Sequence, residues 1–136
     1  MKRIILIYVI ILSSTFLLAQ SKFSASRFQK QHMNQTIEML TQALDSDNPS
    51  LQTSSAQAIR QLEYLYPDEP FTEFIAPLSK VVENDKADIQ ARILSAIALE
   101  GLHSDNGDKI LEETSKSSTS ENIRELCSAL LIKVRE

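Results

Sequence analysis

The chain repeats itself. Leu40-Thr41-Gln42-Ala43-Leu44-Asp45, followed by Leu51-Gln52 and Ala58-Ile59, returns further on as Leu78-Ser79-Lys80-Val81-Val82-Glu83, followed by Ile89-Gln90 and Ala96-Ile97. Apolar positions coincide, and so do the acidic residues that close the first segment. A period of roughly 40 residues with two helical patterns in each unit predicts a stack of helix pairs, each burying an apolar face that it cannot cover alone. Only 2 glycines and 4 prolines in 136 residues favour long helices joined by few tight turns.

The amino terminus reads differently. Lys2 and Arg3 precede the unbroken apolar run Ile4–Leu12; Ser13-Ser14-Thr15 interrupts it, and Phe16-Leu17-Leu18-Ala19 closes it. This is the layout of a secretory signal over residues 1–20, with cleavage after Ala19 or Ser21. The alternative is an uncleaved membrane anchor, although the run from Ile4 to Ala19 falls short of the roughly 20 residues that cross a bilayer. The expected location is therefore periplasmic or secreted, or else the cell envelope for an anchored form. Loss of residues 1–20 removes two cations and no acid, which moves the formal charge from −4 to −6. An acidic domain has no general attraction for nucleic acid phosphates or anionic lipid. Cys127, alone in the sequence, makes no internal disulfide, so the domain depends on its apolar core.

Residues 21–27 form a polar lead, and residues 28–136 carry the helical pattern. Met33, Ile37, Leu40 and Leu44 lie on one stripe. Asp45–Pro49 stops that helix and Ser50 is the expected cap of the next, which runs to about Leu65. Tyr64–Pro70 is a break, with two prolines bracketing two acids. Thr72 is the expected cap of a third helix bearing Phe74, Ile75, Leu78, Val81 and Val82, which Pro77 kinks or delays. Asp85 or Asp88 caps a fourth helix that ends near Gly101 or at His103–Gly107. His103–Gly107 reads as a turn, Asp108–Thr114 as a weak fifth helix with Ile110 and Leu111 inward, Ser115–Ser120 as a connector, and Glu121 onward as the last helix.

The second helices align when Leu51, Ile89 and Ile123 are taken as origins. Ser55, Ile93 and Cys127 follow at offset four, Ala58, Ala96 and Leu130 at seven, and Ile59, Ile97 and Leu131 at eight. These offsets share one helix face. The opposite face places Thr53, Gln57, Arg60 and Tyr64 in the first unit, Ala91, Ser95, Ala98 and Leu102 in the second, and Glu125, Ala129, Ile132 and Glu136 in the third.

On the Leu40–Leu44 and Leu78–Val82 stripes, the acidic turns at Asp45–Asp47 and Glu83–Asp85, and the runs Leu51–Leu62 and Ile89–Leu99, the chain resembles the HEAT-repeat family of helical solenoids over about residues 28–136. It departs from the family pattern in that Gly101 matches near the end of one second helix only, and Arg92 and Arg124 do not share a register. The resemblance implies an all-α fold, a short α-solenoid of about three antiparallel helix pairs, with a protein-binding or scaffolding role and a concave surface lined by second helices.

Candidate chemistry is sparse. His32 and His103 have no Cys or His at ligand spacing and are expected at the surface. Cys127 reads as a small buried hydrophobe. Gly101, Gly107 and Lys109 lack the spacing and preceding strand of a phosphate loop. Asp45-Ser46-Asp47 lacks the glycine and twelfth-position ligand of a calcium loop. Asn34-Gln35-Thr36 is a glycosylation sequon on a helix. The expectation is a non-enzymatic domain with no cofactor and no metal, binding a protein partner through Gln57, Arg60, Tyr64 and Leu102; Arg and Tyr are frequent interface anchors. The middle second helix is apolar almost all round, which suits either a sandwiched helix or a dimer contact.

Overall fold

The computed structural model describes residues 29–133. The expected signal or anchor segment (1–20), the lead (21–27), Phe28 and Glu136 lie outside them. The chain divides into two compact units at Thr36/Ile37. In the first, residues 29–36 are helical, with Thr36 Oγ1 donating to the His32 carbonyl at 3.0 Å. The second unit is built of helices. The described residues hold no strand and are all-α, as the periodicity predicts.

The second unit opens with helical residues 37–45 (α1). Then follow α2 (Pro49–Leu65), a 3₁₀ turn (Thr72–Phe74), α3 (Ile75–Glu83), α4 (Ile89–Gly101), α5 (Asp105–Ser117) and α6 (Glu121–Lys133). Among the described residues, α3 packs on α4 and α5 on α6, through connections short enough to fold each second helix back on its first. In addition α2 packs on α4, α4 on α6, and α3 on α5. Helix α4 therefore has α2, α3, α5 and α6 around it. No helix among the described residues is long and apolar enough to cross a membrane.

Local chemistry explains the boundaries, and corrects several. Asn48, not Ser50, caps α2: its Oδ1 accepts from the amides of Ser50 and Leu51 at 3.0 and 3.2 Å, while Pro49 takes the first helical position, where no amide is needed. Asp88 caps α4 in the same way, accepting from Gln90 and Ala91. Thr72 makes no cap. It starts the 3₁₀ turn that precedes α3, and Pro77 is the third residue of that helix, where the missing amide is one of the four with no partner in any case. Pro77 thus delays the helix rather than bending it. Before it, Phe71 sits in the left-handed region (φ 42°, ψ 42°), which is unfavourable for an aromatic residue; its buried ring is held 5.9 Å from that of Phe74.

Helix α5 is longer than its pattern suggests. It begins at Asp105 because Ser104 Oγ accepts from the Gly107 amide at 3.0 Å, and it continues through Ser117. The residues expected as a turn therefore include a full first turn of helix. Gly107 is required there by space: a Cβ would meet Ser104 Oγ at 2.8 Å and the Leu99 side chain and carbonyl at 3.2 Å. Of the two residues expected to point inward, Leu111 is fully buried and Ile110 half-buried.

The largest correction concerns register. The first helical residues of α2, α4 and α6 are Pro49, Ile89 and Glu121. The echo holds for the first helices, where Leu44 and Val82 are both buried. It fails for the second helices because the turn between α3 and α4 spans five residues, against three between α1 and α2. The longer turn is closed by Asn84, whose carbonyl accepts from the Ala87 amide and whose side chain accepts from the Lys86 amide, both at 3.0 Å. Aligned on helix starts, Ser55, Ser95 and Cys127 coincide and all are buried, as do Ala56 with Ala96 and Ile59 with Leu99, each 0% exposed. The origins that the sequence suggests include Leu51 and Ile89, which are 47% and 37% exposed. Ile97, expected in the core, is half-buried, and the core residue is Leu99.

The same alignment brings Arg92 and Arg124 into one register. Gln52, Arg92 and Arg124 each stand fourth after the residue preceding the helix, and each reaches back to a carbonyl in the last turn of the preceding helix or just after it. Gln52 Nε2 donates to Leu44 and Ser46 at 3.2 and 2.8 Å, Arg92 Nε to Val82 at 2.9 Å, and Arg124 Nη1 to Ser118 at 2.7 Å. Arg92 is only 2% exposed. Its Nη2 donates to Ser118 Oγ and its Nη1 pairs with Asp85 Oδ1, both at 2.9 Å. Asp85 also accepts from the Ser118 hydroxyl and the Thr119 amide. Those two bonds, and less strongly Arg92, hold its carboxyl below the usual aspartate range. One buried guanidinium thus ties the α3–α4 turn to the α5–α6 turn.

Candidate partner-binding surface

Helix α2 positions the candidate site. Ser55, Ala56 and Ile59 are buried, and the intervening turns place Gln57, Arg60, Gln61, Tyr64 and Leu65 outward. These five line one open hollow of about 710 Å³. Tyr64 is 86% exposed and Leu65 64%, so the end of α2 presents an aromatic and an aliphatic side chain to solvent beside one guanidinium. Gln57, Arg60 and Tyr64 thus share one face. Leu102 is not among the lining residues; it is half-buried at the end of α4. Gln61 and Leu65 are the additions, visible in the sequence as the residues completing the outward strip of a 17-residue helix.

The expected strip does not continue onto α4. Ala91, Ser95 and Ala98 are all 0% exposed, because four helices surround α4 and because its register is displaced by two positions from the echo. On α6, Glu125, Ala129 and Ile132 are exposed. Aligned on helix starts, the α4 counterparts of Thr53, Gln57 and Arg60 are Ile93, Ile97 and Glu100, of which the first two are half-buried and the third buried.

Beside the hollow, Glu63 faces α4. Its carboxyl has risen from 4.5 to about 7: burial raises it most, Arg60 opposes the rise, and the Glu100 carboxylate adds to it. Gly101 is the last residue of α4 and has ordinary backbone angles; the left-handed residue after this helix is His103 (φ 48°), which is exposed. The glycine leaves room for the Glu63 carboxyl, whose Oε2 would have to move aside for a Cβ.

No group of three or more metal-ligating side chains converges among the described residues. Cys127 is buried as expected, and burial pushes its thiol up to about 11. No protein-family profile, curated protein or solved structure matches this chain.

Proposed function

We propose that the domain is an exported, non-enzymatic protein-binding or scaffold module built as a short HEAT-like α-solenoid, with the outward strip of α2 as its contact surface. The observation that carries the binding reading is the clustering of Arg60, Tyr64 and Leu65 around one open hollow, with Gln57 and Gln61 completing it. Arginine and tyrosine supply the area and directed polar contacts typical of interface anchors. The stacked reading is supported by the succession of contacts from α2 to α4 to α6 and from α3 to α5. The residues at the fourth position of each second helix, Gln52, Arg92 and Arg124, add to that support. Three units lie near the minimum for an independent stack, which also makes dimerisation compatible with this reading.

The decisive experiment compares proteins cross-linked in the native envelope to the wild-type domain, to Arg60→Glu/Tyr64→Ala, and to Lys109→Ala on exposed α5. The expected result is a stoichiometric partner retained by wild type and Lys109→Ala and lost from the double variant, with all three folded at the temperature of the assay. Equal retention by the double variant refutes the α2 surface. A second reading, a tethered subunit of a cell-envelope assembly, draws on the apolar run Ile4–Leu12. The mass of the mature amino terminus separates the two: a start near Gln20 supports export and cleavage, an intact Met1 the tether.

A further inference from the structure

We propose that the contact between α2 and α4 is a proton-operated latch, closed while Glu63 is neutral and loosened at the end of α2 when Glu63 ionises. The geometry is unusual for a carboxylate. Glu63 Oε2 lies so near the Gly101 α-carbon that no larger residue fits there without moving it, and Oε1 is buried with no hydrogen-bond partner. A neutral acid tolerates such a place far better than an anion, whose unsolvated oxygen is strongly penalised. The charged groups facing Glu63 are Arg60, from its own helix, and Glu100, from α4. Glu100 is 8% exposed, so α4 meets an ionised Glu63 with repulsion. Arg60 is exposed, one turn back on α2, and draws the ionised carboxylate outward to solvent.

The direction of the pH effect follows. Because the folded-state value lies above the ordinary 4.5, the closed contact is fully favoured below about 4.5 and loses its advantage as pH rises through about 7. Ionisation drives the Glu63 side chain from its packed position beside Gly101 and so loosens the last turn of α2, which carries Tyr64 and Leu65. No partner is needed for this: the latch concerns only how the end of α2 is held.

Residue-resolved amide exchange on the full chain at about pH 5 and about pH 8, corrected for intrinsic exchange, tests it. In wild type the protection of residues 62–66 falls about 10- to 100-fold relative to α5 amides, as a carboxyl that holds its proton to about pH 7 rather than 4.5 allows. Glu63→Gln shows no such fall, Glu100→Gln moves its midpoint to lower pH by weakening the repulsion, and Gly101→Ala shows a smaller fall because its methyl turns the flexible carboxyl out to solvent, where it is ionised at both pH values. Equal pH dependence in wild type and Glu63→Gln overturns the latch. So does a loss shared evenly by α5, or an undiminished pH dependence in Gly101→Ala.

Discussion

Replacing Arg92 by alanine should cost this domain about 3 kcal/mol. The side chain is 2% exposed and makes three contacts at 2.9 Å, to the Val82 carbonyl, the Ser118 hydroxyl and the Asp85 carboxylate. Hydrogen bonds involving a charged group are worth about 1.5–3 kcal/mol each, but those of one residue do not add, and removing one partner of a fully buried ion pair costs about 3–5 kcal/mol. Asp85 is not fully buried: its side chain is 33% exposed and keeps the Ser118 and Thr119 bonds, so water repairs part of the loss and the lower end of that range applies. Loss of the packed methylene stem and the unmatched Val82 carbonyl act in the opposite sense. Against a total of about 5–15 kcal/mol for a domain, this leaves Arg92→Ala folded but marginal. Arg92→Lys keeps the charge and loses the fork, and should fall by about 2 kcal/mol. Urea unfolding with the slope held equal to wild type measures both. A loss under about 1 kcal/mol for Arg92→Ala, or no difference between alanine and lysine, would refute the claim that this guanidinium joins the two turns.

Two further outcomes test the corrected register and boundaries. Leu99→Ala should cost about 2–4 kcal/mol by the same assay, whereas Gln61→Asp on the exposed strip should stay within about 0.5 kcal/mol of wild type; similar losses in both would invalidate the assignment of faces. Asn48→Ala should cost about 1 kcal/mol by uncapping α2, and Ser50→Ala almost nothing; the reverse order would restore Ser50 as the cap.

The outward strip on α2 is legible because a helix shows both its faces in its own sequence, wherever it starts: Ser55 and Ile59 inward leave Gln57, Arg60 and Tyr64 outward. The strip on α4 is not. The match of Leu51-Gln52 to Ile89-Gln90 extends the first-helix echo along the sequence, yet the turn before α4 is longer by two positions. At 3.6 residues per turn a slip of two rotates the helix by about 200°, which exchanges the solvent face for the packed one. The echo therefore assigns Ala91, Ser95 and Ala98 to the surface when they are core. The pairing of Asn48 with Asp88, each the cap of a second helix, is the signal in the sequence that gives the true alignment.

What this sequence determines by itself is local. Helix identity, the stops at Asp45–Asn48, Pro67–Pro70 and Asn84–Asp88, and the burial of Leu44, Ile59, Leu78 and Val82 follow from periodicity, capping chemistry and proline, which act within a turn or two of chain. Only tertiary structure decided that Arg92 is buried rather than solvated, that Gly101 serves close approach rather than helix termination, and that Glu63 meets Glu100. Each of these depends on atoms at least one whole helix further along the chain, as in the bond from Arg92 to Ser118 or the contact of Glu63 with Gly101. The burial of a charged group is set by what a neighbouring helix brings to it, and no period within one helix encodes that.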